Sequence, residues 1–208
     1  MKKVVIIDYG LGNLQSIYNA FLEIGANVAI SSNKADVLNA SHCVLPGVGA
    51  FAVGMQKLAE ADLKDTICAF VDSGKPMIGI CLGMQILFEE GHEFGVTQGL
   101  GLIEGKVSKL EVTNDYKLPH ISWNELYKPE HISWANSIFS NVTEDQNFYF
   151  VHSYAVQPKN ENDTLSLTQY GDVTFCSSVR KNNLIGVQFH PEKSGKAGLN
   201  LLKCFYQL

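Results

Sequence analysis

The sequence predicts a single α/β domain spanning residues 1–208, with a central, mostly parallel sheet flanked by helices and a smaller mixed or antiparallel sheet in its second half. Three observations support this class. Up to Gly91, short apolar runs alternate with segments of helical periodicity, as in βαβ units. After Gly91, apolar segments follow one another with turns between them. A chain of 208 residues with no repeat, low-complexity tract or linker fits one domain.

The sequence of the first half of the chain predicts buried strands joined by helices. The first strand is a continuous apolar run, which is typical of a parallel strand covered on both faces. Gly25 stands where a glycine ends a helix. The predicted strands are 4–8, 28–31, 43–45 and 77–80, and the predicted helices are about 14–22, 51–71 and 82–90.

The sequence of the second half predicts strands joined by turns and one helix at the C-terminal end. The strands are 106–112, 147–156, 174–179 and 185–189. The closing helix is 196–206, where Leu199, Leu202 and Phe205 recur at helical spacing. Together the two halves predict a sheet that is parallel first and antiparallel later.

Composition excludes several classes of protein. Apolar residues make up 46% and charged residues 18%, as in ordinary globular proteins. The net charge of −5 argues against a broad nucleic-acid-binding face, and no apolar run reaches the roughly 18 residues that a membrane span needs. The five cysteines form no C-x-x-C pair, and the six histidines are scattered. We therefore expect no metal, no cofactor and a reducing, cytoplasmic setting.

The segment Gly79-Ile80-Cys81-Leu82-Gly83 lies between a predicted buried strand and a predicted helix. It has the form of a nucleophile elbow with cysteine in the position of the nucleophile. A strand-to-helix turn this tight leaves no room for side chains at Gly79 and Gly83. The following helix N-terminus stabilises a thiolate and offers backbone N–H groups to an oxyanion. The alternative is that Cys81 has no catalytic role and is simply a small buried side chain.

A base for this thiol is predicted at the end of a later strand. His190 can take the thiol proton, and Glu192, two residues on, points the same way along an extended segment. Glu192 can then orient the imidazole and stabilise its cation, which completes a catalytic triad. A histidine before a proline is otherwise an ordinary loop residue.

Two motifs together resemble the class I, triad-type glutamine amidotransferases. They are Gly79-Ile80-Cys81-Leu82-Gly83-Met84-Gln85 and Gln188-Phe189-His190-Pro191-Glu192, in the order and at the separation of that family. Three further segments narrow the resemblance to the glutaminase subunits of imidazole glycerol phosphate synthase, which serve histidine biosynthesis. These are Pro46-Gly47-Val48-Gly49-Ala50-Phe51, Tyr149-Phe150-Val151-His152-Ser153-Tyr154 and Pro119-His120-x-x-Trp123-Asn124. The resemblance covers essentially the whole chain.

The resemblance implies a reaction and a set of roles. Cys81 would attack the side-chain amide of L-glutamine, His190 would protonate the leaving ammonia, and Glu192 would orient His190. Backbone N–H groups of Leu82 and of the turn at Val48 and Gly49 would bind the oxyanion, the turn after a peptide flip. The implied glutamine-binding residues are Gly47, Gln85, Glu93, His152, Ser153 and Tyr154. The plain alternatives are a strand-end turn at 46–49, a solvated face at Glu93 and an aromatic core strand at 149–154.

The resemblance also implies a protein partner. A glutaminase of this family delivers ammonia to a separate (β/α)8-barrel cyclase, so the chain would be one half of a heterodimer that acts without nucleic acid or membrane. The residues placed at that interface by match to the family are Asn13, Trp123, Tyr149 and Lys193. Burial in the core is the competing interpretation for Trp123 and Tyr149.

One departure from the family pattern leaves other hypotheses open. Ile121-Ser122 stands where the family usually has Met-Gly, and serine is less free in its backbone than glycine. A paralogue that serves a synthase aminating a nucleotide-linked sugar is therefore one alternative. A stand-alone γ-glutamyl hydrolase is a second, and a non-catalytic binding subunit is a third, although Cys81, His190 and Glu192 are all present.

Overall fold

A computed structural model describes residues 2–113, 115–143 and 145–208 of the chain. The strands are β1 (Lys3–Ile7), β2 (Asn27–Ser31), β3 (His42–Leu45), β4 (Met77–Ile80), β5 (Phe88–Gly91), β6 (Thr97–Gln98), β7 (Ile103–Lys109), β8 (His120–Glu125), β9 (Asn147–His152), β10 (Tyr154–Pro158), β11 (Thr164–Tyr170), β12 (Val173–Lys181) and β13 (Leu184–Val187). The helices are α1 (Leu14–Glu23), α2 (Lys34–Asn39), α3 (Phe51–Glu60), α4 (Lys64–Asp72), α5 (Leu82–Gln85) and α6 (Gly195–Gln207).

The central sheet is parallel on one side and mainly antiparallel on the other. Strands β2, β1, β3, β4 and β13 lie side by side and run parallel. Strand β12 is antiparallel to β13, and the order continues through β10, β7, β5 and β6. Strand β11 pairs with residues 173–179 of β12. Strands β8 and β9 form a separate antiparallel pair. This arrangement confirms the predicted fold class, and most strands of the second half extend the central sheet itself.

The sheet separates two hydrophobic cores. Along β1, Val4 and Ile6 belong to one core while Val5 and Ile7 belong to the other, because successive side chains of a strand point to opposite faces. Helices α1 and α6 pack with the first core, and α3 and α4 with the second. Because both faces are covered, the parallel strands have continuous apolar sequences, which is the signal that predicted them.

Two predicted helices differ from the structure. The helix predicted at 51–71 is two helices, α3 and α4, separated at Asp62, whose φ of 55° lies in the left-handed region. Apolar residues keep helical spacing across the break, so periodicity did not reveal it. The helix predicted at 82–90 is the single turn α5, followed by β5. Ile86, Leu87 and Phe88 are fully buried, and a short run buried on all sides does not distinguish helix from strand.

The remaining differences involve short elements. The strand predicted at 147–156 is two strands, β9 and β10, separated at Ser153. Helix α2 and strands β6, β8 and β11 were not predicted from the sequence. Helix α2 carries a readable signal, because the Asn33 side chain caps it by accepting the N–H groups of Ala35 and Asp36.

Candidate active site

Cys81 occupies a sharp turn between β4 and α5. Its φ is 55° and its ψ is −114°, an unusual conformation for a residue with a side chain. The Cys81 N–H donates to the carbonyl of Val187 at 2.8 Å, which ties the turn to the end of β13. Strained backbone of this kind persists only where the surroundings enforce it, and it is concentrated at functional sites.

The glycines on both sides of Cys81 are required by close backbone contacts. A Cβ atom on Gly79 would lie 2.6 Å from the carbonyl oxygen of Gly83. A Cβ atom on Gly83 would lie 1.9 Å from the carbonyl oxygen of Leu45. The elbow is therefore packed directly against the end of the neighbouring strand β3, and only glycine fits at either position.

His190 and Glu192 come together at the same edge of the sheet. Nδ1 of His190 lies 2.8 Å from Oε1 of Glu192, and both side chains are buried. The backbone N–H of His190 donates to the carbonyl of Tyr149 at 2.9 Å, and the Ser194 hydroxyl donates to the carbonyl of His190 at 2.6 Å. The backbone at His190 is thus held by β9 and by Ser194 before α6, while Glu192 holds the imidazole.

The other imidazole nitrogen faces the thiol. Burial by itself lowers the pKa of His190, but interactions with Cys81 and Glu192 outweigh it and raise the pKa to about 10. Within the described part of the chain, the buried Nε2 of His190 has no hydrogen-bond partner. A protonated His190 between the Cys81 thiol and a carboxylate is suited to donate a proton to a leaving group.

Cys81 and His190 open into one pocket of about 390 Å³. Most of the other residues expected at the site contribute to its walls, namely Val48, Gly49, Leu82, Gln85, Glu93, His152, Ser153 and Tyr154. Two expected residues do not line it: Glu192 is bonded to His190 on the side away from the thiol, and Gly47 packs against the Tyr9 hydroxyl and the start of α5. Pro119 and Val151 line the pocket and were not anticipated from the sequence.

The glycine-rich turn at 46–49 is clamped from below by Tyr9, which sequence reasoning missed. The buried Tyr9 hydroxyl donates to the carbonyl of Pro46 at 2.6 Å. A Cβ atom on Gly47 would lie 2.7 Å from that hydroxyl. Burial, followed by the charge of Cys81, raises the pKa of Tyr9, so the hydroxyl stays protonated as a donor. At Gly49 the backbone φ is 100°, a conformation that favours glycine.

Two glutamine side chains connect the pocket wall to the thiol. Nε2 of Gln85 donates to Oε1 of Gln188 at 2.9 Å and to the carbonyl of Tyr154 at 3.1 Å. Nε2 of Gln188 in turn lies 3.7 Å from Sγ of Cys81. Sequence reasoning assigned no role to Gln188, although it belongs to the histidine motif. Glu93 accepts the N–H of Phe51 at 2.8 Å, so its carboxylate also caps helix α3.

The residues expected at a partner interface lie outside the pocket. Trp123 is 52% exposed, and its ring centroid is 5.7 Å from that of Tyr149. Nζ of Lys193 lies 5.8 Å from the Tyr149 ring centroid. Asn13 directly precedes α1, without a side-chain cap bond. Trp123, Tyr149 and Lys193 thus form one surface cluster next to the triad, and their interface role stays a prediction.

Within the described ranges, no helix has the length and apolar character needed to cross a bilayer. In the same part of the chain, no group of three or more His, Cys, Asp or Glu side chains is arranged as a metal site would be.

A doubly wound sheet that carries a cysteine elbow facing a His–Glu pair defines the class of the triad amidotransferases. The family described as Glutamine amidotransferase class-I matches residues 5–207, and the chain belongs to it.

Relatives refine the assignment within this class. The imidazole glycerol phosphate synthase subunit HisH of Lactococcus lactis subsp. lactis (strain IL1403) is 44% identical over 208 residues, covering 100% of this chain and 99% of the relative. The subunit HisH of Methanosarcina acetivorans is 45% identical over 210 residues, with complete coverage of both chains. Within its class, the chain therefore falls in the HisH family.

Solved structures share the fold at low sequence identity. The structure of PurLQS from Thermotoga maritima aligns with a TM-score of 0.74 at 18% identity, covering 99% of this chain and 98% of the other. A crystal structure of a glutamine amidotransferase aligns with a TM-score of 0.70 at 17% identity, covering 99% of each chain. These similarities support the fold.

Proposed function

We propose that this chain hydrolyses L-glutamine to L-glutamate and ammonia at Cys81. The observation that carries the proposal is the strained Cys81 in a pocket that also contains His190, itself bonded to a buried Glu192. This is the arrangement that a nucleophile, its acid–base partner and an orienting carboxylate require. Membership of the amidotransferase class supports glutamine as the substrate.

The reaction proceeds in two halves. Sγ of Cys81 attacks the amide carbon, the C–N bond breaks, and ammonia leaves with a proton from His190, so that a γ-glutamyl thioester remains. A water molecule then gives a proton to His190 and adds to the thioester, which releases glutamate and restores Cys81. Glu192 orients His190 and stabilises its cation throughout.

The oxyanion that forms in each half needs backbone donors. The N–H of Leu82, at the start of α5, is directly after the nucleophile and lines the same pocket. Val48 and Gly49 of the turn line the same pocket, and we propose that this turn supplies the second donor. Removing one such donor typically costs about 100- to 1,000-fold in rate, so the position of this turn controls activity.

We further propose that the ammonia passes to a (β/α)8-barrel cyclase subunit that forms imidazole glycerol phosphate and AICAR (aminoimidazole carboxamide ribotide) in histidine biosynthesis. The names of relatives that are 44% and 45% identical over the full chain support this partner. In this proposal the chain is one glutaminase domain, residues 1–208, in a cytoplasmic heterodimer. Asn13, Trp123, Tyr149 and Lys193 face the cyclase.

The catalytic proposal is tested by Cys81→Ala. We expect loss of glutamate release from glutamine, with unchanged folding and unchanged partner binding, because the side chain is small and buried. A synthase assembled with this variant should still use ammonium salts. His190→Asn should cost nearly as much as the cysteine change, since triad members act as a unit. Undiminished glutamate production by Cys81→Ala would overturn the mechanism.

The pathway is tested by mixing the chain with the cyclase. Glutamate release is measured with the chain alone, with cyclase, and with cyclase plus its nucleotide substrate. Strong stimulation by the loaded cyclase is the expected result. Full turnover by the isolated chain would instead favour a stand-alone γ-glutamyl hydrolase, and no stimulation would favour a synthase that aminates a sugar.

A further inference from the structure

A hydrogen-bonded series of side chains, the half-buried Asn124 and the buried His120 and His152, runs from strand β8 to the wall of the pocket. Nδ1 of His152 lies 2.9 Å from the carbonyl oxygen of Tyr154, and Nε2 of His152 lies 3.1 Å from Nδ1 of His120. Nε2 of His120 lies 2.8 Å from Oδ1 of Asn124, whose Nδ2 donates to the carbonyl of Gln169 at 3.1 Å. Both imidazoles are buried.

When both histidines are neutral, this hydrogen-bonded series has one hydrogen too few to give every contact a donor. It has four contacts and ends on a backbone carbonyl, an obligate acceptor, at each side. A neutral imidazole donates at one nitrogen and accepts at the other, and an asparagine amide likewise has one donor end and one acceptor end. His152, His120 and Asn124 therefore supply three donors for four contacts. One contact must bring two acceptors together unless the histidine pair takes up a proton.

The groups around the two histidines determine how costly it is to protonate the pair. Burial lowers the pKa of His152 to about 3, and the charges of His120 and His190 act in the same direction. Burial also lowers the pKa of His120, against the hydrogen bond to Asn124. The His120 ring stacks on Tyr170 at 4.0 Å and on Phe150 at 5.2 Å between centroids, and aromatic faces favour a cation. The edge of Phe175 completes the enclosure.

The end of the hydrogen-bonded series at His152 and Tyr154 is the part that touches the substrate site. The carbonyl of Tyr154 accepts from both His152 and Gln85, and Gln85 bonds Gln188 next to the thiol. When Nδ1 of His152 carries a hydrogen, this carbonyl is held from two sides. When it does not, a lone pair faces the carbonyl and repels it.

We propose that His120 and Asn124 are positioning residues of the glutamine pocket, and that the His120–His152 pair holds the Tyr154 carbonyl by sharing one added proton. The inference rests on the proposed function, because it assigns glutamine to this pocket. It also connects the pocket with β8, which carries the exposed Trp123. A contact on β8 that shifts Asn124 would change which nitrogen of His152 holds hydrogen.

The test uses Asn124→Asp in a Cys81→Ala background, which prevents turnover and removes the thiol that acts on His190. An aspartate accepts from Nε2 of His120, and its charge favours the imidazolium. Imidazole ¹⁵N shifts are followed against pH by NMR, and glutamine affinity is measured by calorimetry over the same pH range. Ser122→Asp, two residues away on β8, adds the same charge without this contact and is the matched control.

We expect the His120–His152 pair to take up one proton, with a midpoint about one pH unit higher in Asn124→Asp than in the Ser122→Asp control. Glutamine affinity should follow that titration, so that the protonated pair binds glutamine several-fold more tightly. His120→Phe, which keeps the ring stacking, should abolish the shared titration and flatten the affinity profile. This second variant keeps the test decisive if Asn124→Asp does not fold.

Two results would overturn the inference. One is a pair that titrates identically in the Asn124→Asp and Ser122→Asp chains. The other is a glutamine affinity whose pH profile is unchanged by His120→Phe. If the Cys81→Ala chain binds no glutamine at any pH, the proposed function fails instead, while the ring titration still decides whether the pair shares a proton.

Discussion

Tyr9 is a side chain outside the proposed triad that contacts the turn next to the thiol. Its hydroxyl fixes the carbonyl of Pro46 and fills the space under Gly47, directly below the turn that faces the thiol. A donor that has to meet an oxyanion must be placed within a fraction of an ångström. We therefore regard Tyr9 as a positioning residue for this turn.

Tyr9→Phe removes the hydroxyl and keeps the ring. We expect kcat for glutamine hydrolysis to fall by about tenfold with little change in KM, because transition-state stabilisation is lost while the glutamine-binding groups stay. Steady-state kinetics in the presence of the stimulating partner measures both constants.

The matched control for Tyr9→Phe is Tyr206→Phe, whose hydroxyl also donates to a backbone carbonyl, that of Lys2, but far from the pocket. The control should leave kcat unchanged. An equal loss in both variants, or a rise in KM alone, would assign Tyr9 a purely structural or substrate-binding role.

At the scale of elements, the elbow is built by two strands and a helix pressed together. Strand β4 leads into Cys81, β13 accepts its N–H, and β3 leaves no space above Gly83. The nucleophile is thus positioned by backbone contacts, which side-chain repacking cannot adjust. The position of the nucleophile therefore depends on the glycines at 79 and 83.

Gly83→Ala tests this dependence. The new Cβ would be 1.9 Å from the Leu45 carbonyl oxygen, so we expect a loss of at least about 3 kcal/mol in the free energy of unfolding, or no folded protein. Gly54→Ala in α3 is the control, because its Cβ would meet the flexible Leu82 side chain at 3.1 Å and alanine favours the helix. Urea unfolding of both variants decides the matter, and a stable Gly83→Ala chain would contradict the described elbow.

At the scale of the whole molecule, buried histidines make stability depend on pH. Burial, with a smaller effect of Lys2, lowers the pKa of His42 to about 4, and both of its ring nitrogens are buried without a hydrogen-bond partner in the described part of the chain. His42 lies against Phe205 and Tyr206 of α6, at the end of the sheet opposite the elbow. A folded-state pKa below the unfolded value of 6.5 means that the unfolded chain binds the proton first. Stability is therefore present above pH 6.5 and is lost as the pH falls towards 4.

His42→Leu removes this titration. We expect the loss of stability between pH 7 and pH 5 to be smaller than in the unchanged chain by about 2 kcal/mol, measured by urea unfolding at both values. His120 and His152, whose pKa values burial also lowers, are present in both chains, so the difference between the two chains reports on His42. An identical pH dependence in the two chains would show that His42 is not a source of the acid sensitivity.

Residue types and their spacing alone predicted the fold class and the triad. These predictions rest on local patterns, which can be read directly from a sequence. The patterns are the continuous apolar strands, the elbow glycines and the short separation of His190 from Glu192. The break at Asp62 and the individual strands β5 and β8 were not predicted, because their surroundings are formed by segments that are distant in the chain. The smaller antiparallel sheet of the second half was predicted, and β8 and β9 form it.

Only the tertiary structure decided how the remaining groups act. Tyr9 reaches Pro46 across 37 positions, Gln85 reaches Gln188 across 103, and His120 reaches His152 across 32. The sequence does not reveal that these residues are in contact. Tyrosine, glutamine and histidine often lie at the edge of a protein core, so their presence does not indicate which residue each one meets. The sequence therefore determined the chemistry available at Cys81, whereas the packing of separate strands determined which polar groups hold it in place.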